Sequence, residues 1–347
     1  MDQPILRRRS VLAGLAASST LIGGRWAHAG SKQLVIANWG GDWSDRTVEF
    51  VEAPLVEARG YKIERMLGME PERKTKMVAE ARFHRGTIDV AHLNDSDAYE
   101  MDHQGVLATL DLTRIPNYVD TVEALRTPYF VPWLYSGVVI VSNSTKVGDP
   151  PTSYEALWDT RWAGRIGLTN QLYFQYLMMA GLIRGGSMTD AAAAKSKLAE
   201  LKTLVQPRIY ATHQMLQAAL ANGEVDITVE YKARGLQWAQ AGQPLAITYP
   251  QEGAIAITFG AGLPKTAPDP DGAYVYLNAM LDPKAMAELA TASFYAPANT
   301  RSTLSPELRA TIDFTPAQQK TLRFPDHDYV AKNTSDWLEW WNKTIAV

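Results

Sequence analysis

Short apolar runs alternate with polar, cap-rich stretches along most of this chain. Leu34-Val35-Ile36-Ala37 ends in Asn38-Trp39-Gly40-Gly41 and gives way to a polar start over Asp42 to Asp45, which predicts strand, glycine turn and helix in that order. The alternation continues with a strand at 61–65, a helix at 71–83 and a strand at 88–93, after which Asn94-Asp95-Ser96-Asp97 offers a second helix cap. A buried strand is predicted at 135–142, followed by a Pro-rich crossing segment at 143–152. The second series has strands at 165–169, 225–231 and 245–250 and helices at 172–183, 191–204 and 214–221. Beyond a proline-rich break at 263–270, helices are expected at 272–281, 283–291 and 306–312. A terminal helix at 334–344 sets Trp337, Trp340 and Trp341 at helical spacing, ready to pack their indoles on the body.

This order predicts an α/β protein built on mainly parallel sheets. About 320 residues beyond the leader exceed what one hydrophobic core organises, so two lobes are expected. The chain then divides into a leader at 1–29, a first lobe at 30–139, a second lobe at 140–262 and a return to the first lobe with C-terminal helices at 263–347. Two crossings, near 140 and near 260, make a two-strand hinge with a ligand cleft between the lobes.

The leader carries Arg7-Arg8-Arg9-Ser10-Val11-Leu12, an apolar run from Val11 to Ile22 and Ala27-His28-Ala29. A basic cluster, a short apolar core and small residues two apart are the pattern of an export signal cleaved near Ala29, and the paired arginines suggest the twin-arginine route. The run is too short for a membrane span, so no membrane insertion is expected. Without residues 1–29 the chain keeps 30 basic and 36 acidic side chains, a net charge of −6 that gives no electrostatic reason to bind nucleic acid or anionic lipid. The chain has no cysteine, which excludes thiol catalysis, thiolate metal sites and disulfides.

Enzyme signatures are missing too: no HExxH, GxSxG, P-loop or GxGxxG occurs. His84, His92, His103, His213 and His327 are scattered without ligand spacing, and Asp269-Pro270-Asp271-Gly272 reads as a turn rather than a calcium loop. A secreted hydrolase would need a facing carboxylate pair, and a ferric-ion binder would need adjacent tyrosines; no Tyr-Tyr pair occurs. Neither a cofactor nor a metal is expected.

The order of several short motifs resembles the periplasmic solute-binding proteins of ABC importers, nearest to the spermidine/putrescine-binding branch. These motifs are Trp39-Gly40-Gly41, Ser136-Gly137-Val138-Val139, the stretch from Pro151 to Trp158, Trp162-Ala163-Gly164-Arg165, Pro250 to Ala254 with Pro264 beyond it, and Phe294 to Asn299. The resemblance implies a type II periplasmic binding protein: two α/β lobes that close on a solute and deliver it to an inner-membrane permease, acting as a monomer. Carried over by position, it lines the cleft with Trp39, Asp42, Asn94, Ser96, Asn170, Gln171, Phe174, Tyr231, Ile257, Phe259 and Tyr295, and Tyr135 adjoins the hinge. Polyamine binders of this kind have carboxylates at the positions of Gln171, Phe174 and Phe259 and a tryptophan at Ile257. This chain has neither, and ammonium groups closed in without carboxylates lose several kcal/mol to desolvation.

The expected cargo is therefore a small polar organic solute such as a betaine, an amino-acid or sugar-amine conjugate (an opine, for instance) or an aminophosphonate, with a polyamine as the alternative. A cation would lie against Trp39 or Tyr231 and a polar end against Asn94, Ser96 or Asn170. Gly40-Gly41 and Arg73 could receive an anionic end. Each residue also has a plain structural role to fill: helix caps for Asp42 and Ser96, hinge packing for Tyr135, core for Phe174, Ile257 and Phe259, and solvent for Gln171. Glu230 and Glu252 read as structural, pairing with a neighbouring cation such as Lys232.

Overall fold

The computed structural model describes residues 32–347, so the leader at 1–29 lies outside the described residues. In chain order the regular elements are β1 (Lys32–Asn38), α1 (Gly41–Thr47), β2 (Tyr61–Leu67), α2 (Glu70–Arg82), β3 (Val90–Asn94), α3 (Asp95–His103), β4 (Val131–Asn143), β5 (Ile166–Thr169), α4 (Tyr173–Gly185), α5 (Ala191–Leu204) and β6 (Arg208–Tyr210). They continue with α6 (His213–Ala221), β7 (Ile227–Tyr231), α7 (Lys232–Gln240), β8 (Leu245–Thr248), β9 (Ile255–Gly262), α8 (Pro270–Met280), α9 (Pro283–Ser293), β10 (Ala296–Pro297), α10 (Pro306–Ile312), α11 (Pro316–Gln319) and α12 (His327–Thr344).

The strands follow the order β2-β1-β3-β9-β4-β7-β5-β6, with β10 and β8 pairing to β4. Parallel pairing joins β1 to β2 and β3, and β5 to β6 and β7. Between these two parallel groups the sheet is antiparallel, because β9 pairs with β3 and β4, and β4 pairs with β7. The mainly parallel expectation thus holds inside each group and fails where the chain crosses.

The crossing has a simple cause. β4 is 13 residues long and changes partner at Val138: up to there it pairs with β9, and from there with β7. β9 stays on β4 from Ile255 to Ala261 and adds β3 of the first group from Phe259 to Gly262. Two continuous strands therefore tie one α/β group to the other, giving the mixed α/β, two-lobed architecture of type II periplasmic binding proteins. The carboxyl ends of β1, β3, β5 and β7 carry Trp39, Asn94, Asn170 and Tyr231, and strand ends at a reversal of strand order are where such sheets leave room for ligands.

Gly40 and Gly41 break β1 with φ of 88° and 58°, a left-handed turn that suits glycine and starts α1 beside Trp39. At the other end, α12 begins earlier than the tryptophan spacing suggests. It buries Val330, Trp337 and Trp341 as one stripe against the body, while Trp340 is only half-buried. Asp326 caps it by accepting the Tyr329 N–H at 3.0 Å. Asp269 caps α8 by accepting the Gly272 N–H at 2.9 Å, so the stretch expected to be a turn instead opens a helix, with Pro270 as its first residue. Among the described residues no helix is long and apolar enough to cross a membrane.

Candidate functional site

Aromatic rings from both groups and from the crossing strand meet at these strand ends. Phe259, on β9, is the hub: its centroid lies 5.8 Å from Trp39, 5.2 Å from Trp43, 5.8 Å from Tyr231 and 5.5 Å from Tyr295. Three of the four contacts are edge-to-face and the Trp43 contact is tilted, geometries in which the positive edge of one ring meets the negative face of another. Trp133 of β4 closes the back of the cluster, 5.7 Å from Trp43. A cavity of about 10 Å³, room for about one water, borders the cluster at Trp43 and Trp133 and is closed by Arg46, Leu134, Leu289 and Ser293.

Charged groups surround the rings. Trp39 donates its Nε1–H to Glu70, the first residue of α2, and the Arg73 guanidinium lies 4.7 Å from the Trp39 ring centroid. Arg73 is fully buried and donates to the carbonyls of His92 and of Ala37, bracing the ends of β1 and β3. Burial lowers the Arg73 pKa against the pull of Glu70 and Asp97. From the other group, Arg234 in the first turn of α7 lies among Tyr295, Glu230, Asp42 and Tyr231. Burial opposes its charge, but these neighbours outweigh that and raise its pKa. Burial likewise pushes the Tyr295 hydroxyl up to about 12 and the Tyr231 hydroxyl well above the usual range, so both stay protonated donors at neutral pH.

Of the residues expected to line the cleft, the structure brings together Trp39, Tyr231, Phe259 and Tyr295. Asp42 is exposed beside them and pairs with Arg46 at 3.0 Å, one helical turn on. The remaining polar candidates use their side chains within the protein. Asn94 caps α3, accepting from the Asp97 N–H at 2.9 Å and donating to the Asp97 carboxylate at 2.7 Å. Ser96 pairs with His327 at 3.1 Å, Tyr135 donates to Asp313 at 2.8 Å, and Asn170 accepts from the Trp341 indole at 2.8 Å. Gln171 accepts from the His213 N–H at 2.8 Å. Phe174 packs its ring on Tyr173, 5.6 Å away, and Ile257 is core.

Glu230 and Glu252 are structural, but Lys232 is not their partner. Glu230 binds His213 at 2.6 Å, Glu252 accepts from the Ser153 hydroxyl and the Tyr154 N–H, and Lys232 donates to the Asp313 carbonyl at 2.5 Å. Among the described residues no three histidine, aspartate or glutamate side chains converge as metal ligands.

Trp43 and Trp133 are part of this cluster and Glu70 and Arg234 lie beside it, but all four are absent from the candidates read off the sequence. Trp43 lies four residues beyond Trp39, and Arg234 three beyond Tyr231. One helical turn past a candidate strand end is a usable signal for both. Trp133 and Glu70 reach the site only through tertiary packing.

Residues 53–316 match the bacterial extracellular solute-binding protein family. The spermidine/putrescine-binding periplasmic protein of Salmonella typhimurium is 26% identical over 347 residues, covering 94% of this chain and 92% of its own. Among solved structures, an ABC transporter substrate-binding protein from Bradyrhizobium japonicum superposes with a TM-score of 0.79 at 22% identity, covering 90% of this chain and 99% of that one. A binding protein from A. tumefaciens B6 in complex with glucopine does so with a TM-score of 0.74 at 23% identity and the same coverage. With these relatives and this fold, the chain belongs to the bacterial extracellular solute-binding proteins, the non-enzymatic substrate-binding components of ABC importers.

Proposed function

We propose that the protein captures a small polar organic solute in the periplasm and hands it to an inner-membrane ABC permease, with the solute held in the aromatic cluster between the lobes. The observation that carries this reading is the meeting of Trp39 from one group, Tyr231 from the other and Phe259 from the strand that joins them. Rings so arranged would part when the lobes open and close again on a solute's faces, offering both apolar contact and attraction for a cation. On this reading the chain is exported, cleaved near Ala29 and monomeric, with lobes at 30–139 and 140–262 and a return to the first at 263–347.

Betaines, opine-like conjugates of amino acids or sugar amines, and aminophosphonates suit the cluster. The A. tumefaciens relative bound to glucopine supports that class. The Salmonella relative supports a polyamine instead. A polyamine needs a carboxylate for each ammonium group, and of the carboxylates beside the rings Asp42 is paired with Arg46 and Glu230 with His213, which leaves Glu70, the acceptor of the Trp39 indole, as one charge for at least two. A thermal-shift screen of the mature chain against polar metabolites tests the reading. A true solute at 100 times its dissociation constant adds about 2.7 kcal/mol of stability. A broad library that includes polyamines and stabilises nothing would remove the basis for it.

A further inference from the structure

We propose that Arg234 anchors a carboxylate of the solute, so that the cargo is an amino-carboxylate zwitterion whose cationic end lies toward Trp39 and Glu70; this rests on the solute-binding reading of the same cluster. Arg234 differs from the other partly or fully buried arginines in having nothing to bind. Arg65 holds Glu52 at 2.5 Å, Arg165 holds Asp226 at 2.6 Å, and Arg73 donates to two strand-end carbonyls. Arg234 forms no ion pair among the described residues, and its Nε is buried without a hydrogen-bond partner.

The carboxylates around Arg234 do not fill the gap. Glu230 is engaged by His213 and by the Tyr231 N–H, and Asp42 by Arg46. An arginine used only for packing would keep its Nε in water or on a carbonyl, because a buried donor left unpaired is costly. A planar fork of donors beside an aromatic cluster matches a planar carboxylate, which it can grip through two parallel hydrogen bonds.

Charge is distributed to suit such a guest. Glu70, Trp39 and Phe259 lie on the first lobe and the crossing strand, while Arg234 lies on α7 of the second lobe. A zwitterion spanning the two would be held by both lobes at once and would favour closure. A diamine would place an ammonium beside Arg234, and a dicarboxylate would place a carboxylate beside Glu70; like charges at close quarters oppose both.

Calorimetry on the mature chain with ω-amino acids of two to six carbons, glycine betaine, and diamines and dicarboxylates of matching length tests this. The expected result is measurable binding by at least one amino-carboxylate and binding about 30-fold or more weaker by its diamine and dicarboxylate counterparts. Arg234→Gln should weaken the amino-carboxylate by a similar factor, and Arg234→Lys by less. Because Arg234 has no partner to lose, the solute-free Arg234→Gln chain should melt at or above the wild-type temperature. A diamine that binds as tightly, an Arg234→Gln chain that keeps its affinity, or a solute-free melting temperature lowered in that variant would overturn the anchor. So would a wild-type chain that binds none of these probes. A metabolite of another class that stabilises the chain would sink the anchor while sparing the importer reading, and the absence of any stabiliser would sink both.

Discussion

Phe259 makes aromatic contact with four other rings, so its loss opens a cavity at the centre of the site. Phe259→Ala should lower stability by about 3–5 kcal/mol in urea unfolding and remove solute-induced stabilisation, whereas Phe259→Leu should retain most of the stability. His92 sets an acid limit. Its Nε2 pairs with the Tyr276 hydroxyl at 2.9 Å, and burial, helped by the Arg73 charge, pulls its pKa from 6.5 to about 3. Between those values the unfolded chain takes up a proton that the folded chain refuses, so this contribution to stability is full above pH 6.5 and is lost as pH falls. By pH 5 the loss from this one group should be about 2 kcal/mol. His92→Gln should flatten that part of the stability curve in denaturant titrations at pH 7 and 5, and an unchanged slope would contradict the assignment. At this scale the sequence reveals the aromatic members better than the polar ones. An aromatic ring at a strand end has few places to go, but Asn94, Asn170 and Gln171 can satisfy a helix cap, an indole or a backbone N–H as readily as a solute, and here they do so.

Elements with strong periodicity are legible and those built on glycine are not. α5 and α10 have the predicted bounds because their apolar spacing and terminal residues agree. β9 is expected only as a crossing near 260, without bounds, because Ile255–Gly262 is buried along its whole length, which removes the alternation, and contains two glycines that depress strand propensity. Those glycines answer a packing need that sequence does not display. A Cβ on Gly260 would lie 2.0 Å from the Val131 carbonyl oxygen, on the strand it pairs with. Gly260→Ala should therefore strain the β4–β9 crossing and lower the melting temperature sharply. α7 is missed for a related reason, since Gly235 interrupts its pattern where the helix presses on Val141 and Ile247. α12 links α3 to α4 through Ser96–His327 and through Trp341, whose ring stacks 5.6 Å from Tyr176. Trp341→Ala should cost about 3–5 kcal/mol, read from denaturant midpoints, by removing a buried indole and leaving the Asn170 side chain without its donor.

For the whole molecule, two strands shared by both lobes make opening a rotation about β4 and β9 rather than a rearrangement of either core. Small-angle scattering should report a smaller radius of gyration when solute is added, with helix and strand content unchanged. The two-lobed class is legible from the repeated strand–helix alternation and from chain length. The antiparallel centre is not, because it depends on which strands cross, a tertiary fact with no local signature. The most direct test of the central claim is a crystal structure of the mature protein grown with a stabilising solute. Density for that solute, chemically unchanged and lying among Trp39, Tyr231, Phe259 and Tyr295, is the predicted result. Solute bound away from those rings, or a reaction product in its place, would contradict it.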